Sequence, residues 1–365
     1  MNVPTSMQPV LVKPVLIMAG GTGGHIFPGI AVAQELRSRD VPVLWLGSAG
    51  GLETQRVPQA GLPIETLAIS GVRGKGVLAL LAAPLRILRA LIAAWRLLGR
   101  TRPRSALALG GFAAGPGGIA AWMRGVPLLV HEQNAVPGAT NRILSRFAKK
   151  RLCGFADALP HAEWIGNPVR REIAALPPPG ERFAARTGAV HLLVLGGSQG
   201  ARVLNARVPA ALALIPPDRR PVVRHQCGVK LADGARMAYT NSRVDASVEP
   251  FIDDMAGAYA WADFVVCRAG ALTLAELAAA GVGAVLVPFP FAVDDHQTAN
   301  AQAMVGACAA LLLSEDEASA ERIATLLTEL CGDRARLLAM AQAARTLAKP
   351  DAAARIADAC LEVSA

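Results

Sequence analysis

Hydrophobic positions fall in short unbroken runs, at Val15–Ala19, 43–47, 106–110, 126–130, His191–Leu195, Phe264–Cys267 and 284–287. Each run closes on or near glycine and gives way to a segment with helical spacing. Continuous rather than alternating hydrophobicity is what a strand buried on both faces requires, and strands alternating with helices build parallel sheets. The pattern therefore predicts an α/β protein. It lapses between 166 and 190, where Asn167-Pro168 and Pro177-Pro178-Pro179-Gly180 interrupt regular structure. A linker near Pro168 divides the chain into an N-terminal domain, 1–168, and a C-terminal domain, 169–350. The last segment, 351–365, follows Pro350 as a helix expected to pack back on the first domain. A chain of 365 residues is long enough for two domains, each with its own core.

One segment has a different pattern. From Thr66 to His131 there is no acid, and Arg73, Lys75, Arg86, Arg89, Arg96, Arg100, Arg102 and Arg104 accumulate. At about 100° per residue, Arg86, Arg89, Arg96 and Arg100 share an arc of roughly 80°, with Leu88, Leu91, Trp95 and Leu98 pointing away. This is a basic amphipathic helix. A spanning helix is disfavoured, since each arginine near the bilayer centre costs about 2.5–3.5 kcal/mol. Two roles stay open for the apolar stripe: packing on a sheet, or resting Leu81, Leu85, Leu88 and Leu91, with Trp122, on a membrane surface while arginines meet the headgroups.

Charge sharpens this division. Residues 1–170 carry 19 basic and 7 acidic side chains, so the first half holds the positive field behind the net +9 of the chain. Such a field suits nucleic acid, anionic lipid or a phosphorylated substrate. An aromatic content of 4% argues against nucleic acid, whose single-strand binders present stacking platforms. With 53% hydrophobic residues and no apolar run long enough to span a bilayer, the chain is expected to be folded, and soluble or peripheral. The N-terminal apolar stretch runs into Gly20-Gly21 without a cleavage site and reads as a first strand rather than a signal peptide. Six scattered cysteines, at 153, 227, 267, 308, 331 and 360, suggest neither a zinc site nor a disulfide framework and fit a reducing cytoplasm.

Three glycine-rich turns follow predicted strands: Gly20-Gly21-Thr22-Gly23-Gly24-His25, the 110–118 stretch, and Gly196-Gly197-Ser198-Gln199-Gly200-Ala201. Glycines let the backbone approach a ligand, and the helix that follows offers N–H groups and partial positive charge to a phosphate. A tight strand–helix turn without ligand is the plainer alternative. The first turn is not G-x-G-x-x-G, and the second strand ends in Gly47-Ser48 rather than an acid for a ribose, so a dinucleotide site fits poorly. No G-K-[ST] follows, which excludes a P-loop. His25 stands at the start of a helix expected near Ile26, as a base candidate or a capping histidine. Downstream, Arg268 to Glu276 opens a helix whose start can receive phosphate and whose Glu276 can accept ribose hydroxyls; complementing the helix dipole is the alternative for that acid. Asp294-Asp295-His296 lies in an expected loop, 288–297, and is read as solvated rather than as a metal site.

Together, the 20–25 turn, Ile69-Ser70-Gly71-Val72-Arg73-Gly74-Lys75-Gly76, His131-Glu132-Gln133-Asn134, Gly166-Asn167-Pro168-Val169-Arg170, the 196–201 turn, Phe251-Ile252-Asp253-Asp254-Met255 and the 268–276 segment closely resemble one family. It is the bacterial UDP-N-acetylglucosamine:N-acetylmuramyl-(pentapeptide) pyrophosphoryl-undecaprenol N-acetylglucosamine transferases. The resemblance covers nearly the whole chain in order. It implies a GT-B fold, two Rossmann-like parallel-sheet domains facing across a deep cleft, and an inverting transfer from UDP-N-acetylglucosamine to the 4-hydroxyl of lipid I, giving lipid II, with no metal or other cofactor required. It places the enzyme peripherally on the cytoplasmic face of the inner membrane, with lipid I, anionic phospholipid and other cell-wall synthesis proteins as partners, and no nucleic acid.

Carried over motif by motif, Thr22, Gly23, Gly24 and Asn134 would line the sugar side of the donor. Arg170 and Ser198 would also bind donor, Ser198 near its phosphates. Ile252 would contact uracil, Ala271, Leu272, Thr273, Leu274, Ala275 and Glu276 would receive phosphate and ribose, and Gln297 would read the acetylglucosamine hydroxyls. His25 is the expected base, and Arg73, Lys75, Leu81, Leu85, Arg86, Leu88, Arg89, Leu91 and Trp122 form the expected acceptor and membrane patch. The competing expectations are another GT-B transferase, a UDP-sugar epimerase, which needs no basic membrane-facing segment, and a non-catalytic membrane-bound scaffold.

Overall fold

The computed structural model describes residues 13–71, 83–197, 200–291 and 295–364. Its strands are β1 (Val15–Ala19), β2 (Val43–Ser48), β3 (Ile64–Leu67), β4 (Ser105–Gly110), β5 (Leu128–Glu132), β6 (Lys150–Cys153), β7 (Glu163–Trp164), β8 (His191–Leu195), β9 (Val222–Gln226), β10 (Ser247–Glu249), β11 (Phe264–Cys267), β12 (Gly283–Leu286) and β13 (Ala310–Leu312). They form two sheets, ordered β3-β2-β1-β4-β5-β6-β7 and β10-β9-β8-β11-β12-β13. The chain divides into two compact units: Met1–His131 with Gly138–Leu152 and Ala354–Ala365, and Glu132–Pro137 with Cys153–Ala353. Two Rossmann-like parallel sheets are what the apolar runs predict.

Burial explains the architecture. All five residues of β1 are fully buried, so this strand is covered on both faces. It pairs in parallel with β2, Val15 opposite Val43, and with β4, Val15 opposite Ser105. Trp45 of β2 is also fully buried and donates its indole N–H to the Ala19 carbonyl at 2.9 Å. In the second unit β8 takes the same central place, with β9 on one side and β11, Leu192 opposite Phe264, on the other. Strand order reverses between β1 and β4, and again between β8 and β11. Open α/β sheets bind ligands at the carboxyl ends of strands at such a reversal. Here those ends carry the 20–25 turn beside the 110–118 stretch, and the 196–201 turn beside the 268–276 segment.

Several elements differ from the sequence reading. The strands β3, β6, β7, β9, β10 and β13 were not marked by apolar runs. The expected loop at 288–297 ends in the helix His296–Gly306, so Gln297 is helical. The helix Ala83–Thr101 buries Ala90, Ala94, Leu97 and Leu98, packing on the helix Ala114–Met123. Of the apolar stripe read from the sequence, Leu98 is buried, Leu91 half-buried, and Leu88 and Trp95 exposed. Small alanines set the packed face, because they let the two helices approach closely. The C-terminal helix Ala352–Glu362 is bonded within the first unit: Ser105 Oγ donates to the Cys360 carbonyl at 2.8 Å and Lys149 Nζ to that of Val363 at 3.0 Å.

Candidate active site

In the first unit, the 20–25 turn leads from β1 into the helix Gly23–Arg37, which starts two residues before His25 rather than near Ile26. Thr22 is its N-cap, in extended conformation and without a side-chain capping bond. His25 folds back so that Nδ1 lies 3.1 Å from the Gly20 carbonyl. A carbonyl only accepts, so this contact is a hydrogen bond only with the proton on Nδ1, which in the neutral ring leaves the lone pair on Nε2. The third glycine stretch makes room for this ring. Gly110 has φ +117°, and a Cβ there would sit 2.9 Å from His25 Nε2; one on Gly111, φ +92°, would sit 2.5 Å from the Gly20 carbonyl oxygen. Thr22, Gly23, Gly24 and His25 thus share one turn, braced by Gly110 and Gly111.

In the second unit, the 196–201 turn is tied to the end of β9: Gly196 N–H donates to the Gln226 carbonyl at 2.8 Å, and Gln226 Nε2 to the Gly197 carbonyl at 3.2 Å. Gly200 has φ +77°, and a Cβ there would meet the Cys227 carbonyl at 2.3 Å, so only glycine fits. Behind this turn, His225 is fully buried between the Tyr239 hydroxyl at 2.9 Å and Asn205 Oδ1 at 3.0 Å. Asn205 Nδ2 in turn donates to the Cys227 carbonyl at 3.0 Å. Burial lowers the His225 pKa to about 3, keeping the ring neutral.

The helix Ala271–Ala280 opens at Gly270, whose lack of a side chain leaves its first N–H groups without a side-chain cap. That is the arrangement an incoming phosphate needs. Leu274 and Ala271 turn into the core, while Leu272, Thr273, Ala275 and Glu276 are partly exposed. Arg170 grips Glu276 Oε1 through Nε at 3.1 Å and Nη2 at 2.8 Å, and the Tyr259 hydroxyl donates to Oε2 at 3.1 Å. Tyr259 is fully buried; burial, with the Glu276 charge adding to it, pushes its phenol well above the usual value. Ile252 is buried at 2% exposure, just before the helix Met255–Trp261 that Asp254 caps. Arg268 is engaged elsewhere, donating to the Val287 and Pro288 carbonyls and pairing with Glu315. Gln297 Oε1 accepts the Phe289 N–H at 3.0 Å.

Asn134 lies in Glu132–Pro137, which clusters with the second unit. Its side chain is held from both sides: Nδ2 donates to Glu132 Oε1 at 3.3 Å, and Oδ1 accepts from the fully buried Asn300 at 3.2 Å. Asn300 Oδ1 also accepts the Ala135 N–H at 2.8 Å, and Asn167 Nδ2 donates to the Gln133 carbonyl at 2.9 Å.

On the proposed membrane patch, Leu85, Arg86, Leu88, Arg89 and Trp122 are exposed and Leu91 is half-buried. Ile87, Ile92, Met123 and Ile143 are also exposed. The Arg124 guanidinium lies 4.2 Å over the Trp95 ring, and Trp122 stacks obliquely on Phe147 at 4.7 Å. Arg73, Lys75, Leu81, Ser198 and Asp294 lie outside the described residues. Among the described residues no helix is long and apolar enough to cross a membrane, and no group of three or more His, Cys, Asp or Glu could hold a metal ion. Two residues that matter here had no signal in the sequence: Tyr259, within an alanine-rich run, and Glu53, considered below.

Comparison with known proteins bears on the family and the fold. The N-terminal domain of glycosyltransferase family 28 matches residues 15–153, and its C-terminal domain matches 191–356. The chain is 62% identical over 352 residues to a UDP-N-acetylglucosamine--N-acetylmuramyl-(pentapeptide) pyrophosphoryl-undecaprenol N-acetylglucosamine transferase of Xanthomonas oryzae pv. oryzae, covering 96% of this chain and 79% of that one. A protein of the same name from Xylella fastidiosa is 59% identical, covering 96% of each. The crystal structure of MurG from Acinetobacter baumannii superposes with a TM-score of 0.84 at 38% identity, covering 96% of this chain and 99% of that one. A calicheamicin glycosyltransferase, CalG4, at 17% identity and a TM-score of 0.66 over 97% and 98% of the two chains, shares the fold.

Proposed function

We propose the reaction from one premise: the chain belongs to glycosyltransferase family 28, and within it to the UDP-N-acetylglucosamine–N-acetylmuramyl-(pentapeptide) pyrophosphoryl-undecaprenol N-acetylglucosamine transferases. It is a UDP-N-acetylglucosamine-dependent N-acetylglucosaminyltransferase that forms lipid II for peptidoglycan. The observation that carries this is identity of 62% over 352 residues, 96% of the chain.

Residue roles extend that reading. The second domain holds the donor: the start of the helix Ala271–Ala280 and the 196–201 turn take the pyrophosphate, Glu276 takes ribose hydroxyls with Arg170 beside it, Ile252 meets uracil, and Asn134 and Gln297 face the sugar. The first domain presents Thr22, Gly23, Gly24 and His25 to the reacting end and takes the acceptor's pyrophosphate. Nε2 of His25 accepts the proton of the acceptor 4-hydroxyl as its oxygen attacks the anomeric carbon. The bond to UDP breaks, its electrons leave on the β-phosphate, and configuration inverts. Helix N-termini and Ser198 stabilise that departing charge without a cation. The Gly20 carbonyl 3.1 Å from Nδ1 supports the base role, since it favours the tautomer whose lone pair is on Nε2.

The helix Ala83–Thr101 supports attachment to an anionic membrane on its cytoplasmic face. Its outward side carries both apolar and cationic residues: Leu85, Ile87, Leu88 and Ile92 beside Arg86, Arg89 and Arg96. Incubating the protein with UDP-N-acetylglucosamine and lipid I, and identifying the product by mass, tests the reaction. Failure to form the disaccharide lipid overturns it, and UDP-sugar isomerisation in its place identifies an epimerase. His25→Ala is expected to lower kcat by about 10²–10⁴-fold; undiminished transfer removes His25 from the base role.

A further inference from the structure

Between β2 and β3 a carboxylate is buried with no partner of opposite charge. Glu53 has 0% exposure, and no ion pair to it is found among the described residues. Its Oε1 accepts the Ser48 N–H at 2.8 Å and its Oε2 the Gly21 N–H at 3.1 Å. The chain is cut away around it. A Cβ on Gly20 would lie 2.2 Å from Oε1, one on Gly51 2.3 Å from Oε2, and one on Gly47 2.6 Å from Cγ. An isolated buried carboxylate is costly, and a simple turn does not need one.

What it binds is one end of a single peptide group. The N–H of Gly21 and the carbonyl of Gly20 belong to the same planar trans unit and point to opposite sides. Glu53 holds the N–H side, and His25 Nδ1 meets the carbonyl side at 3.1 Å. We propose that Glu53 is a positioning residue for His25, acting through the Gly20–Gly21 peptide group; this rests on His25 as the base.

The physical need for such a residue lies in the glycines. Gly21 sits at φ +88°, and a peptide between two glycines can turn over at little steric cost. Turned over, it would present its N–H to His25 Nδ1, which would then have to accept, moving the proton to Nε2 and removing the lone pair that takes the acceptor's proton. It would also aim the Gly20 carbonyl oxygen at a carboxylate. The Glu53 charge excludes that state, because an ionised acceptor demands donors. The same chain of bonds runs from carboxylate to amide to imidazole, and each bond polarises the next. Gly111 closes the other side, since a Cβ there would lie 2.8 Å from the Gly20 carbonyl carbon.

The experiment joins two readouts on the full chain. Nitrogen-15 NMR of histidine-labelled protein, with His25→Ala to assign the signal, reads which ring nitrogen bears the proton; steady-state kinetics separates kcat from KM. In the wild type the proton is expected on Nδ1. In Glu53→Gln, whose amide can no longer accept both N–H groups, the Nε2-protonated form is expected to appear, and kcat to fall about ten- to hundredfold with KM for UDP-N-acetylglucosamine within about twofold. A wild-type proton on Nε2 overturns the proposal whether or not the variant folds. So does a folded Glu53→Gln that keeps both the wild-type tautomer and kcat, which would leave Glu53 a structural pin for the turn. If His25→Ala transfers at the wild-type rate, the base assignment fails, while the tautomer in Glu53→Gln still decides whether Glu53 sets the ring.

Discussion

The Tyr259 hydroxyl donates to Glu276 Oε2 at 3.1 Å from a site with no solvent exposure. With Arg170 on Oε1, both carboxylate oxygens are held, which orients Glu276 for the ribose proposed to meet it. Tyr259→Phe keeps the ring and its packing and removes one hydrogen bond to a charged group. The expected result is a KM for UDP-N-acetylglucosamine raised about five- to tenfold, corresponding to about 1–1.5 kcal/mol, with kcat nearly unchanged. Steady-state kinetics checks it; an unaltered KM means that Tyr259 does not orient the acid.

Gly110 makes a different prediction, because substitution there has two costs. Its φ of +117° strains any side chain, and the new Cβ would lie 2.9 Å from His25 Nε2. Gly125 is a control: φ is +70°, yet a Cβ there meets nothing within 4 Å. Both Gly110→Ala and Gly125→Ala should lower stability by about 1–3 kcal/mol from backbone strain. Only Gly110→Ala should also lower kcat, by at least about tenfold, since it displaces His25, the proposed base. Thermal unfolding and turnover measured on both variants separate the two costs.

The sequence showed the frame and hid the braces. β1, β8 and β11 were legible to the residue because they are unbroken apolar runs ended by the next turn. β9 was not, because two of its buried positions are His225 and Gln226, polar side chains satisfied by Asn205, Tyr239 and Gly197. β3, β6 and β13 are short and only partly buried, so their sequences look like loop. The glycine turns and the 268–276 helix start were legible because a strand-to-helix turn of this kind needs glycines in a recognisable order. Glu53 was not: it sits in Gly51-Leu52-Glu53-Thr54-Gln55, and nothing in that polar string shows that the carboxylate turns inward. The apolar stripe of the helix Ala83–Thr101 was left open between packing and a membrane surface, because the packed face rests partly on Ala90 and Ala94, which carry little hydrophobic signal, beside Leu97 and Leu98.

His225 gives a pH dependence whose sign follows from burial. Its pKa is depressed to about 3 in the folded protein, against an unfolded value of about 6.5. Between these values the unfolded chain binds a proton that the folded chain does not, so stability is full above the unfolded value and lost as pH falls toward the folded one. From pH 7 to 5 this one group should cost the second unit about 2 kcal/mol. His225→Gln removes the titration. Urea unfolding at pH 7 and pH 5 should show a smaller acid loss in the variant by about that amount; equal losses would mean that His225 is protonated in the fold.

The last prediction concerns the outward face of the helix Ala83–Thr101. Leu85 and Leu88, 52% and 51% exposed, stand among arginines that, among the described residues, have no acidic partner except Arg100, which pairs with Glu65 at 2.8 Å. Apolar residues left in water beside cations are stabilised by a surface that offers both acyl chains and anionic headgroups. Replacing both leucines by glutamine removes apolar area without touching the packed alanines, so the fold and turnover on a short-chain, water-soluble acceptor should be unchanged. Binding to vesicles rich in anionic phospholipid should fall about tenfold or more, since each leucine side chain is worth about 1.5–3 kcal/mol when buried. Reversing Arg86 and Arg89 to glutamate should abolish the binding in low salt, and raising salt should weaken wild-type binding as the charges are screened. Vesicle sedimentation reads each arm. Binding that survives the leucine pair and is equally strong at high and low salt would place the contact elsewhere on the protein.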